Sequence, residues 1–93
     1  MPDPVFVICY DIARDKTRRR VSAALESTMV RVQDSVFEAR LKPDVARRVF
    51  AEVSALGDEG DRFRLYGLNA AGVGMSAVHG GAPLPEAEDF WLL

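Results

Sequence analysis

Ninety-three residues make one domain, because a second independent core would leave each half near the size at which disulfides or metals are usually needed. An apolar share of 48% beside 28% charged residues excludes a disordered chain, and no apolar run nears the roughly 18 residues of a membrane-spanning helix. The net charge of −2 is uneven, with ten Lys/Arg against eight Asp/Glu in residues 1–56 and two against six in residues 57–93.

The start, Met1-Pro2-Asp3-Pro4, has no basic region before a short apolar run, which argues against a signal peptide and for a cytoplasmic protein with no membrane partner. Val5 to Tyr10 is continuous, apolar and β-branched or aromatic, as expected of a central strand buried on both faces. Asp15 is suited to cap the next segment, where Val21, Ala24, Leu25 and Met29 recur at helical spacing. Five cations lie between Arg14 and Arg20, at the helix end whose dipole disfavours them, which makes a functional reason for the cluster more plausible. The alternative is a solvated helix face.

Val30 to Leu41 is strand-like, but its apolar phase slips by one residue near Gln33-Asp34-Ser35. A hairpin turn and a bulge both explain the slip, and Asp and Ser favour the turn. Pro43 opens a second helix, with Val45, Val49, Phe50, Val53 and Leu56 inward and Gly57 as its stop. From Asp61 to Leu68, Phe63, Leu65 and Gly67 alternate with Arg62, Arg64, Tyr66 and Leu68, predicting a strand with one basic and aromatic face. Val73 to His79 reads as a weaker strand. The order strand, helix, strand, strand, helix, strand predicts an α+β, ferredoxin-like βαββαβ domain over residues 1–80. Residues 81–93 form a tail ending Phe90-Trp91-Leu92-Leu93, expected to add a C-terminal strand and to dock on a dimer.

Asp11 is the sharpest candidate for chemistry, because it ends a buried strand just before a basic helix start; the alternative is a turn residue that only stops the strand. Asp34 and Ser35 read as turn residues, although a hydroxyl beside a carboxylate suits a metal-bound water. His79 has no evident nucleophile partner, and Cys9 reads as a small buried hydrophobe that supplies neither a disulfide nor a zinc site. With no phosphate-binding glycine loop or Cys/His cluster, a hydrolytic function would rest on carboxylates and a hard metal ion.

Tyr10-Asp11-Ile12, Asp15-Lys16, Arg18, Val21 and Leu25, then Arg31-Val32-Gln33, Ser35-Val36-Phe37-Glu38 and Leu41, then Asp61, Arg64, Tyr66 and Leu68, together resemble the CRISPR-associated protein two family. The resemblance runs from about Val5 to Leu68, with Thr28-Met29 where the family has Tyr-Gly. It implies a homodimer in which Asp11 of each subunit shares one weakly bound Mg²⁺ and supports phosphodiester hydrolysis. Ser35 and Phe37 match positions implicated around that catalytic site. Arg14, Lys16, Arg18, Arg19 and Arg31 become the expected nucleic-acid contacts. The leading expectation is a metal-dependent endonuclease of the CRISPR spacer-acquisition module, acting on single-stranded RNA, double-stranded DNA or both. The alternatives are a non-catalytic duplex-binding scaffold that bridges the CRISPR integrase, and a ferredoxin-like small-molecule sensor, against which the arginine content argues. A relative among toxin-type ribonucleases on the same fold is a further reading.

Overall fold

The computed structural model describes residues 3–68 and 77–80. Seven elements follow one another: β1 (Val5–Asp11), α1 (Asp15–Glu26), β2 (Val30–Gln33), β3 (Val36–Arg40), α2 (Pro43–Ser54), β4 (Arg62–Gly67) and β5 (Ala77–His79). They build one antiparallel sheet in the order β2-β3-β1-β4-β5, whose first four strands have the ferredoxin-like order. The strand expected within Val73 to His79 is represented by β5. The tail expected to dock as a strand lies outside the described residues. Among the described residues no helix is long and apolar enough to cross a membrane.

β1 is central, but its burial alternates instead of being complete. Phe6, Ile8 and Tyr10 are buried, whereas Val5, Val7 and Cys9 are only half-buried. The reason is that both helices pack on one face: Val21 and Leu25 of α1 and Ala46, Val49, Phe50 and Val53 of α2 join Phe6, Ile8, Phe37, Phe63 and Leu65 in one core. Burial of each such large side chain stabilises the fold by roughly 1.5–3 kcal/mol. Among the described residues no helix covers the opposite face, so Cys9 is not the buried hydrophobe expected.

The slip near residue 33 has both causes. Asp34-Ser35 is a two-residue turn between β2 and β3, and the β2–β3 register also shifts between Arg31 and Gln33, leaving Val32 as an extra residue. Helix α1 starts one residue earlier than a cap at Asp15 requires: Arg14 is the N-cap, without a side-chain bond, and Asp15 lies in the first turn, where its charge suits the dipole and pairs with Arg18. Pro43 opens α2 as expected, but Leu56 is exposed and Gly57 does not end the helix through a left-handed turn. Gly57 instead makes room for the core: a Cβ there would stand 2.6 Å from the Phe63 ring. Gly60, at φ +90°, provides the left-handed turn that leads into β4.

Candidate functional site

The end of β1 and the starts of β3 and β4 lie together, and the pleat divides their side chains between two faces of the sheet. Asp11 ends β1 on the face away from the helices, with 75% of its side chain exposed. It is paired across the sheet with Arg62, whose Nη2 lies 3.3 Å from the Asp11 Oδ2. Cys9, Asp11, Arg62 and Arg64 border an open pocket of about 250 Å³ there. Burial pushes the Cys9 thiol up from its usual range, and the Arg64 charge opposes that shift. A neighbouring hollow of about 330 Å³ is bordered by Asp11, Glu59, Gly60 and Arg62.

The turn between Asp11 and α1 is tied to the α2–β4 loop. Asp61, only 7% exposed, accepts the Ala13 N–H at 3.3 Å through Oδ1 and the Asp58 N–H at 2.7 Å through Oδ2. Thr17, also buried, donates its hydroxyl to the Asp58 Oδ2 at 2.7 Å, and Arg14 pairs with the Asp58 Oδ1 at 3.6 Å. Arg18 closes the turn from the other side, its Nη1 donating to the carbonyls of Ile12 at 2.8 Å and Ala13 at 3.3 Å. Together these bonds fix the backbone that follows Asp11.

On the helix side of the same strand ends lies an open cleft of about 510 Å³, bordered by Arg18, Arg19 and Ser22 of α1, Arg31 of β2 and the Asp34-Ser35 turn, with Tyr10 beneath. The Ser35 carbonyl accepts the Tyr10 N–H at 3.1 Å, which docks the turn on β1. Arg31 lies with its guanidinium carbon 5.1 Å from the centre of the Phe37 ring, donates to the Asp34 carbonyl at 3.0 Å and pairs with Glu26 at 3.0 Å. The hydrogen bond to Glu26 strengthens the guanidinium's hold on its proton. Burial raises the Tyr10 hydroxyl above its usual range, and Arg31 opposes the shift.

The expected site residues therefore fall into two groups. Asp11 stands on the open face. Ser35, Phe37, Arg18, Arg19 and Arg31 lie on the helix side, and Phe37 is fully buried in the core, where it supports Arg31 and stacks with Tyr10 at 6.3 Å. Arg14 and Lys16 are exposed beside the β1–α1 turn. Sequence reasoning missed Arg62 as the partner of Asp11, although opposite charges at the end of one strand and the start of an antiparallel neighbour are a legible signal. It also left Asp58 and Asp61 without roles. His79 packs its ring 5.8 Å from that of Phe63 at an exposed sheet edge. Among the described residues no three His, Cys, Asp or Glu side chains gather in a way that would hold a metal ion.

Residues 4–75 match the family model described as CRISPR associated protein Cas2. The chain is 33% identical over 91 residues to CRISPR-associated endoribonuclease Cas2 1 of Chloroflexus aurantiacus, covering 95% of this chain and 98% of that protein. It is 32% identical over 90 residues to CRISPR-associated endoribonuclease Cas2 2 of Synechocystis, covering 95% and 97%. Among solved structures, a hypothetical protein, TT1823, from Thermus thermophilus superposes with a TM-score of 0.65 at 31% identity, over 89% of this chain and 98% of that one. A chain of a partial Cas6-RT-Cas1–Cas2 complex superposes with a TM-score of 0.60 at 34% identity, over 80% and 86%.

Proposed function

The chain belongs to the CRISPR-associated protein Cas2 family, and from that premise we propose that it is a metal-assisted endoribonuclease of the CRISPR adaptation module, with Asp11 as the residue that holds the metal. The observation that carries this reading is the Asp11 carboxylate itself, exposed at a strand end on the sheet face that no helix covers among the described residues, and set beside a cation, Arg62. The relatives that match nearly the whole chain bear the name endoribonuclease, which favours RNA, taken as single-stranded; double-stranded DNA is the alternative substrate.

One carboxylate per chain is a sparse donor set, but Mg²⁺ keeps several waters and is commonly held by one or two carboxylates. A second copy of the chain would bring a second Asp11. Half-buried Val5, Val7 and Cys9, on the face that no helix covers among the described residues, support a homodimer that meets through it. When bound, Mg²⁺ would supply Lewis-acid polarisation of the phosphodiester and an activated water. The chain's own residues do the rest. Asp11 holds the positive charge at the strand ends, and Arg62, once free of Asp11, neutralises the phosphate. Ser35 serves the helix side of the same strand ends, where Phe37 acts as a positioning residue through Arg31. Arg14 and Lys16, beside the β1–α1 turn, hold neighbouring phosphates, and Arg18 and Arg19 hold those of a strand that passes to the helix side.

The test is cleavage of single-stranded RNA and duplex DNA with Mg²⁺ and with EDTA, by the native chain and by Asp11→Asn. That substitution keeps the side-chain volume while removing its charge. The variant is expected to fold and dimerise normally and to lose at least a hundredfold in Mg²⁺-dependent cleavage, the order expected when a group essential to catalysis is removed. Undiminished cleavage by the purified variant would sink the role of Asp11.

A second reading has its own support. Asp11 is already neutralised by Arg62, and a three-ligand cluster is lacking among the described residues. Both observations fit a non-catalytic scaffold that holds duplex DNA and bridges the integrase during spacer integration, and the likeness to a chain of a Cas6-RT-Cas1–Cas2 complex fits it too. Under that reading Asp11→Asn still supports integration.

A further inference from the structure

The helix-side cleft has the makings of an anion receptor separate from Asp11. Tyr10 and Asp11 are consecutive on β1, so their side chains leave the sheet on opposite faces. A duplex lying on the face that carries Asp11 reaches Asp11 but not the cleft over Tyr10. Three guanidinium groups, from Arg18, Arg19 and Arg31, border that cleft against one carboxylate, Asp34. Two of them are oriented in advance: Arg18 is bonded to the Ile12 and Ala13 carbonyls, and Arg31 to the Asp34 carbonyl. Each also pairs with a carboxylate, Arg18 with Asp15 and Arg31 with Glu26 at 3.0 Å, with which a phosphate must compete, but each guanidinium carries five N–H donors, so donors remain for a ligand. The Arg19 guanidinium has no ion pair or side-chain hydrogen bond among the described residues. Ser22 and Ser35 add hydroxyls at the rim.

We propose that this cleft receives the terminal phosphomonoester of a nucleic-acid strand. The proposal rests on the nucleic-acid reading above and adds to it which part of the strand is recognised. A strand end can turn round the end of the sheet into the cleft, as the middle of a stiff duplex on the other face cannot. A phosphomonoester carries close to two negative charges at neutral pH, against one for an internal phosphodiester, and so competes better with Asp15 and Glu26 for Arg18 and Arg31 while meeting the charge of Arg19. The cleft, at about 510 Å³, has room for one nucleotide.

The experiment compares the affinity of the native chain for three versions of one short single-stranded oligonucleotide: 5′-phosphorylated, 3′-phosphorylated and with both ends hydroxyl. Metal is left out so that no cleavage occurs. A phosphorylated end is expected to tighten binding by about tenfold, the increment of one further charge-assisted hydrogen-bond set, and the favoured end identifies the source of the phosphate. Arg19→Gln, on an exposed helix surface, should bring that ratio close to one. Arg31→Gln, checked for folding by circular dichroism, should do the same. Equal affinity for all three oligonucleotides would overturn the proposal while leaving nucleic-acid binding intact. Failure to bind any of them would overturn both. A preference that survives in both variants would place the phosphate elsewhere and overturn the proposal as well.

Discussion

Asp61 shows how much one carboxylate can do without touching a substrate. Its two oxygens accept the N–H groups of Ala13 and Asp58, and at 7% exposure water can replace little of what it supplies. Asp61→Ala would leave both donors short of a partner and is expected to lower stability by about 2–3 kcal/mol, read as a shift in the urea midpoint without a change in slope. Asp61→Asn keeps one acceptor oxygen but turns an amide donor towards the other N–H, so it should cost less than alanine and more than nothing. If Asp61→Ala unfolds at the native midpoint, the loop is held by Thr17, Asp58 and Arg18 alone. In the sequence Asp61 is simply an acid before a strand. Its role depends on a loop 48 residues away, a distance over which no local pattern carries information.

Helix α1 separates two arginines that look alike in the sequence. Arg18 is bonded to the Ile12 and Ala13 carbonyls and paired with Asp15, whereas Arg19 makes no such bonds among the described residues. Arg18→Gln is therefore expected to destabilise the fold by about 1 kcal/mol, discounted for the partial exposure of the pair, and Arg19→Gln to stay within about 0.5 kcal/mol of native. Thermal unfolding of the two variants side by side decides this, and equal midpoints would make Arg18 a solvated residue like its neighbour. The elements themselves were legible because periodicity is local: the alternation in β4, the helical spacing of Val21 and Leu25, and Pro43 at the start of α2 all carried through. What failed depended on packing between elements. Leu56 kept the helical phase but lay beyond the last turn, Gly57 was needed for the approach of the Phe63 ring, and Val5, Val7 and Cys9 lacked, among the described residues, the covering layer that their apolar character had implied. The candidate site was half legible. Asp11 and the arginines could be picked out by type and spacing, but their division between two faces follows from where the helices pack.

At the scale of the whole molecule, the sheet face opposite the helices and the distribution of charge each yield an expectation. Val7 lies on that face between its cross-strand partners Glu38 and Tyr66. Val7→Asp sets a second carboxylate beside Glu38, and if two copies meet here the variant should sediment as a monomer with an unchanged far-ultraviolet spectrum. A dimer that persists would move the interface to another surface. The charge distribution bears on nucleic-acid affinity. Three of the five expected phosphate contacts already face a carboxylate: Arg14 faces Asp58, Arg18 faces Asp15 and Arg31 faces Glu26. With a net charge of −2 the chain gains little from long-range attraction, so affinity depends on how readily these pairs open to phosphate. The Arg14–Asp58 pair is the most open to test, at 3.6 Å and with the Arg14 side chain 66% exposed. Asp58→Asn removes the competing charge while its amide oxygen can still accept the Thr17 hydroxyl. Affinity for a single-stranded RNA should rise a few-fold at low salt, and the gain should shrink as salt rises, because each phosphate neutralised adds roughly 0.7 to the magnitude of the salt slope for a single strand. An unchanged slope together with unchanged affinity would mean that Arg14 serves the β1–α1 turn and does not touch the nucleic acid.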